Sequence, residues 1–240
     1  GDAAGRSITT GDKNVAVGFA SQLNTTTASD NTTLGFYSGY AITTGGLNTL
    51  IGSFAGDAIT TGNSNVSVGY NSLSAEVAGD RNTALGFQAL SSQTNPSNVD
   101  VYNTAVGYNA GFAMTTGVLN TLIGGLAGDA LTSGNNNTVV GYQALSSDTL
   151  GDRNVAIGVQ ALAAQNFTSS TDAYNTAVGF SAGASVTTGI KNTLIGGIAG
   201  DALNTGSYNV AVGMQALSAD TAGQKNVAIG QGALESQNFT

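Results

Sequence analysis

The side chains able to do acid–base or metal chemistry here are few, and most are carboxylates. The 240-residue chain has no Cys and no His, so a thiolate nucleophile and an imidazole base or metal ligand are absent. Three acids, Asp57, Asp129 and Asp201, recur every 72 residues in Ala-Gly-Asp-Ala. Paired carboxylates can cleave a glycosidic bond, and six or more oxygens can cage calcium. One acid per copy supplies neither, so these three are read as turn-supporting residues. Asp80-Arg81 and Asp152-Arg153 precede Asn82 and Asn154, with Asp12-Lys13 as a relative and Gln224-Lys225 as a departure. They are read as solvated turns with at most a surface ion pair. No acid stands apart from the repeat, so neither enzymatic activity nor a bound cofactor or metal is expected.

Aromatic side chains offer the other chemistry, stacking on sugar rings or peptide. The segments 91–102 and 163–174 carry Pro96, the single proline, together with Tyr102, Phe167 and Tyr174. These four are the candidate partner contacts, because binding residues favour loops held on a rigid scaffold. The alternative is that the rings tuck back over the coil or a subunit seam.

The scaffold is a repeat. Asn-(Thr/Val)-x-(Val/Leu/Ile)-Gly occurs thirteen times, from Asn14 to Asn226. Successive copies lie 17 residues apart, or 21 at Asn82–Asn103 and Asn154–Asn175. Such spacing predicts an all-β chain, a parallel β-solenoid of about 13 coils over 14–240, with 1–13 as a lead-in. Stacked Asn31, Asn48, Asn65, Asn82, Asn103, Asn120, Asn137, Asn154, Asn175, Asn192, Asn209 and Asn226 form a side-chain amide ladder on this reading. Counting from each Asn, offsets +1 and +3 are Thr or Val and then Val, Leu or Ile. They share a strand face, taken to point inward. The Gly at +4 marks positive φ or close backbone approach. A second strand is expected next, with small residues at +7 and +10 lining a narrow interior, followed by a Thr-Thr-Gly turn.

Coils group in fours, giving a 72-residue super-repeat. The second coil of a group reads Asn-Thr-Leu-Ile-Gly. Offset +8 is Gly in the first two coils and Leu in the last two, and the fourth has four extra residues in its return loop. If +1 and +3 face in, +2 faces out, yet +2 is mostly apolar. An exposed apolar row needs a cover, so Leu50, Leu122 and Leu194 are assigned to a seam between subunits. The competing reading packs +2 within the same chain.

Charged residues make up 8% of the chain and net charge is −8, with six Lys or Arg. That argues against nucleic acid and against an anionic membrane surface. No apolar run reaches the roughly 20 residues of a membrane-spanning helix, and no direct membrane insertion is expected. The chain starts Gly-Asp-Ala-Ala and reads as a processed or excerpted piece. Its Asn-x-Ser/Thr sequons are those expected by chance in so Asn- and Thr-rich a chain.

Asn14-Val-Ala-Val-Gly18, Asn154-Val-Ala-Ile-Gly158 and Asn226-Val-Ala-Ile-Gly230 resemble the head repeat of trimeric autotransporter adhesins, the YadA-like head. Asn103-Thr-Ala-Val-Gly-Tyr-Asn-Ala-Gly resembles repeats of phage tail fibres and of chaperone-terminated bacterial fibres. The resemblance implies a left-handed parallel β-roll, three chains side by side, and an extracellular role in attachment at a bacterial surface or virion tail fibre. The 17-residue interval is longer than that of adhesin heads. The expectation is a parallel homotrimeric fibre segment whose partner is a host-surface glycan or protein. Two alternatives remain open. One is an ice-binding solenoid using rows such as Thr43, Thr60, Thr115, Thr132 and Thr187; the other is a glycan-degrading tail spike.

Overall fold

The structure, a computed structural model, describes residues 1–239. Over the described residues it is an all-β parallel solenoid of about 13 turns with no helix. The chain divides into two compact units, Gly1–Leu119 and the part from Asn120 on. In the first unit the parallel strands are Val15–Val17, Thr32–Leu34, Thr49–Ile51, Val66–Val68, Thr83–Leu85 and Thr104–Val106. In the second they are Thr121–Ile123, Thr138–Val140, Val155–Ile157, Thr176–Val178, Thr193–Ile195, Val210–Val212 and Val227–Ile229. Equivalent offsets pair directly: Thr49 with Val66, Leu50 with Ser67, Ile51 with Val68.

Each strand is three residues because Gly at +4 ends it. Gly35 has φ 145°, and a Cβ there would lie 2.4 Å from the Gly52 carbonyl oxygen of the next coil. No other residue fits that approach.

The expected second strand does not form. Offsets +6 and +8 take positive φ in coil after coil, as at Tyr37 (56°) and Gly39 (58°). The chain therefore winds through successive i→i+3 turns. Ser38, Tyr40 and Ile42 N–H groups donate to the carbonyls of Gly35, Tyr37 and Gly39 at 3.4, 3.3 and 3.2 Å. The intervening N–H groups of Tyr37, Gly39 and Ala41 reach neighbouring coils, each at 3.0 Å. Every second amide closes a local turn, so the strand ladder cannot continue. Of the two small columns, +7 is buried, as at Ser38 and Ala55. Offset +10 is not, since Ala41 and Ala58 are half-buried and Ala75 is exposed.

The inside and outside of the strand are also reversed from the sequence reading. Leu50, Leu122 and Leu194 are fully buried within the chain, with 0% exposure each. They are core, not seam. Val15, Val17 and Leu34 at +1 and +3 are about half exposed, at 50, 48 and 47%. A one-residue choice of face exchanges every side chain of a strand. Here Thr at +1 faces water, while Leu, Ala, Val, Ser or Thr at +2 meets the turn segment.

The inward packing explains the super-repeat. Where +2 is Leu, the +8 residues around it are Gly. A Cβ on Gly39 or Gly56 would stand 3.1 or 2.9 Å from a Leu50 methyl. Where +8 is Leu, as in Leu73, Leu90, Leu162 and Leu217, +2 is Ser or Ala (Ser67, Ala84, Ala156, Ala211), with Val139 facing Leu145 as the exception, and all are buried. Large opposes small, which keeps the interior filled.

The Asn column is a ladder, interrupted at Asn103 and Asn175, whose side-chain amides donate to Gln93 and Gln165 in place of the preceding Asn. Asn48 donates its side-chain amide to Asn31 Oδ1 (3.1 Å) and to the Gly62 carbonyl (2.9 Å), and its backbone N–H also reaches Asn31 Oδ1 (3.0 Å). The lead-in residues 1–13 follow the turn pattern of the coils. Ala3 and Gly5 have φ 61° and 57°, like Ala20 and Gln22 a coil later, and Gly5 N–H donates to the Ser21 carbonyl at 2.9 Å. Among the described residues no helix is long and apolar enough to cross a membrane.

Candidate functional site

The 21-residue coils hold the candidate contacts and a feature the sequence reading missed. The four extra residues let the return loop add a short parallel pair, Gly79–Asp80 with Val99–Asp100, and Gly151–Asp152 with Thr171–Asp172. Beneath each loop lies a buried carboxylate, Glu76 or Asp148, and Asp220 repeats the position. Glu76 Oε1 accepts the N–H groups of Val77 (2.9 Å), Ala78 (3.2 Å), Gly79 (2.8 Å) and Asn95 (3.0 Å). Its Oε2 accepts the amides of Gln93 (2.8 Å) and Asn95 (2.9 Å). Gln93 Oε1 in turn accepts from the Asn103 amide at 2.9 Å, where the longer coil separates Asn103 from Asn82. Asp148, Gln165 and Asn175 repeat this relay, with bonds of 2.6 and 2.8 Å. Burial pushes the Asp148 carboxyl up, against the lowering effect of its bonds from Gln165, Phe167, Gly151 and Leu150. The available signal was a 72-residue recurrence of Glu76, Asp148 and Asp220 at a position that is apolar in the first two coils of each group, followed one coil later by Gln93, Gln165 and Gln237.

Of the four candidate contacts, Phe167 is buried at 6% exposure, and its backbone N–H donates to Asp148 Oδ1 at 3.3 Å. Pro96 is exposed on the loop. Tyr102 and Tyr174 are about half exposed, at 48 and 47%. The guanidinium of Arg81 lies 5.6 Å from the Tyr102 ring centre, and Arg153 lies 5.6 Å from that of Tyr174. The same arginines pair with Asp100 and Asp172. Arg81 and Arg153 are thus pins between coil and loop, joined to the tyrosines that the sequence placed apart from them. Asp80 and Asp152 are not free either, accepting the backbone N–H groups of Asn63 and Asn135, each at 2.6 Å.

A second surface runs along the strands. In the first unit Phe19, Phe36, Phe54, Tyr70, Phe87 and Tyr108 form a row with ring centres 5.3–6.1 Å apart. It borders the exposed apolar residues of the strand face. Three of the five neighbouring pairs are stacked and two, Phe36–Phe54 and Phe54–Tyr70, meet edge to face. Four of the five threonines suggested for an ice-binding row are committed to the backbone. Thr43, Thr60, Thr132 and Thr187 donate their hydroxyls to carbonyls of the following coil, at 3.2, 3.1, 3.0 and 3.3 Å.

The recurring Asp57, Asp129 and Asp201 lie on the turn side. Each keeps one buried side-chain oxygen, Oδ1, without a hydrogen-bond partner. Desolvation raises all three carboxyls against the lowering effect of their own backbone N–H, and takes Asp57 to about 6. The folded chain therefore holds a proton on Asp57 at pH values where the unfolded chain has released it. This contribution to stability is present below the ordinary value of 3.8 and is lost as pH rises through about 6. Urea unfolding midpoints of wild type and Asp57→Asn, measured from pH 3.5 to 7, are expected to converge at low pH. Above pH 6 the wild type is expected to be the less stable of the two. An unchanged difference across that range would refute the assignment.

No family model, curated protein or solved structure matches the chain. The fold defines its class, a parallel β-solenoid of 17-residue coils with 21-residue interruptions.

Proposed function

We propose that the chain is a non-enzymatic structural fibre segment serving attachment, assembled as a parallel homotrimer at a bacterial surface or virion tail fibre. The observation that carries the reading is the apolar outer face of the strands. Val15, Val17, Leu34, Val66 and Leu85 in the first unit, and Ile123, Ile195, Val227 and Ile229 in the second, are more than a third exposed. An apolar face of this extent on a regular scaffold calls for a protein cover. Identical chains set side by side offer the same row in the same register, as cyclic symmetry requires. The proposed seam is therefore the +1 and +3 columns, not +2. The Tyr102–Arg81 and Tyr174–Arg153 loops then supply contact with a host-surface glycan or protein.

Light scattering tests this assembly. Wild type is expected at three times the chain mass of 23.7 kDa. The double variant Leu34→Asp/Leu85→Asp is expected at or near the monomer mass with an unchanged circular dichroism spectrum, because both side chains lie outside the core. A monomeric wild type would sink the proposal.

One observation favours a second reading, an ice-binding solenoid. Thr32, Thr49, Thr83 and Thr104 at +1 stand on the outer face, beside Leu34, Ile51, Leu85 and Val106 at +3. Methyl and hydroxyl groups thus repeat at strand spacing, roughly 4.8 Å. Strong thermal hysteresis, lost on Thr49→Lys, would favour this reading over the fibre.

A further inference from the structure

We propose that the cleft between the second and third coils of the first group, around Asp57, binds an amine-bearing sugar unit. The cleft has a volume of about 320 Å³ and is lined by Phe54, Asp57, Tyr70, Asn71, Ser74 and Ala75. That size is at the lower end of small-molecule sites, which combine apolar walls with a few polar groups. Three features select the ligand class.

The first is charge. Asp57 lines the cleft and has one oxygen sealed from solvent with no partner. No ion pair to Asp57 occurs among the described residues. A carboxylate partly removed from water without a cation is costly, and its raised proton affinity follows from that desolvation. An ammonium group in the cleft supplies the missing charge, and the chain's net charge of −8 adds to the attraction.

The second is the wall. Phe54 and Tyr70 meet at 85°, with ring centres 6.1 Å apart, while Tyr37 stacks on Phe54 and Phe87 on Tyr70. The rings are held by their neighbours, so the apolar wall exists before a ligand arrives. Such a wall suits the C–H surface of a pyranose ring, which a bare ammonium lacks.

The third is the polar pair in the lining. Asn71 offers an amide, and Ser74, whose hydroxyl donates to the Ser91 carbonyl at 3.3 Å, offers its oxygen as an acceptor to a ligand's own hydroxyl groups. An alkylammonium such as a lysine side chain uses only Asp57, whereas an amino sugar uses all three. The same offsets in the second unit place Asp129 with Leu126 and Tyr142, and Asp201 with Ile198 and Met214. The pair of aromatic walls is particular to Asp57. This inference does not depend on the homotrimer.

The test is titration of the whole chain, followed by amide chemical shifts, with methyl 2-amino-2-deoxyglucoside, methyl glucoside and Nα-acetyl-lysine amide. The amino glycoside is expected to shift the amides of residues 54, 57 and 70–75 and to bind at least tenfold more tightly than either comparator. Asp57→Asn is expected to abolish that preference, and Tyr70→Ser to weaken the amino glycoside severalfold, both with unchanged circular dichroism. Equal binding of the neutral glycoside, equal binding of the lysine derivative, shifts confined to other residues, or no shifts at all would each overturn the proposal.

Discussion

Glu76→Ala is expected to be among the most damaging single substitutions in the first unit, lowering unfolding stability by about 3 kcal/mol or more. Glu76 accepts from four backbone N–H groups and two side-chain amides inside the coil. Alanine leaves all of them without that acceptor, in a place water does not reach. The loss of even one such bond strands a donor at about 1–3 kcal/mol. Glu76→Gln keeps one acceptor oxygen but turns an NH₂ toward donors, so it is expected to fall between wild type and alanine. Hydrogen exchange gives a local readout. The amides of Val77, Gly79 and Asn95 are expected to lose protection in Glu76→Ala, while those of Val15–Val17 keep theirs. Stacked coils interact chiefly with their neighbours, so the damage stays near the 21-residue coil. A Glu76→Ala protein as stable as wild type would refute the role assigned to this carboxylate.

The second prediction compares adjacent residues of one strand. Leu194→Ala is expected to cost about 2–5 kcal/mol, the usual range for a buried leucine, while Ile195→Ala in the monomeric state is expected to stay within about 0.5 kcal/mol. Leu194 is fully buried and packs on the +8 glycines, where Cβ atoms on Gly183 and Gly200 would lie 2.7 and 2.8 Å from its methyls. Ile195 is 38% exposed on the outer face. Denaturant titration of both variants in the Leu34→Asp/Leu85→Asp background removes the contribution of assembly. If Ile195→Ala were the costlier change there, the assignment of inner and outer faces would be reversed.

Much of the solenoid was legible because the repeat is strict. Asn at fixed spacing announced the ladder, and Gly18 or Gly35 at +4 announced a backbone approach that admits no side chain. The loops of the 21-residue coils stood out as interruptions, and Tyr102 and Tyr174 do reach the surface there. Phe167 was indistinguishable from them in sequence. Nothing local says that Phe167 is buried with its backbone N–H on Asp148, while the tyrosines lie against Arg153 and Arg81. Those contacts join residues 19–21 positions apart, through a loop whose path depends on the small parallel pair beneath it.

By itself, the sequence determined the coil length, the parallel stacking, the Asn column and the places where the beat breaks. These follow from periodicity and from residues with one backbone solution, such as Gly at a site closed to Cβ. Only the tertiary structure decided which strand face is inside. Thr-Leu-Ile alternates equally well in either orientation, since both faces carry apolar residues. The choice rests on the turn segment opposite, where positive φ at +6 and +8 brings Gly or Leu against +2. Leu50, Leu122 and Leu194 are thereby core, and Val17, Leu34 and Leu85 are left on the outer surface.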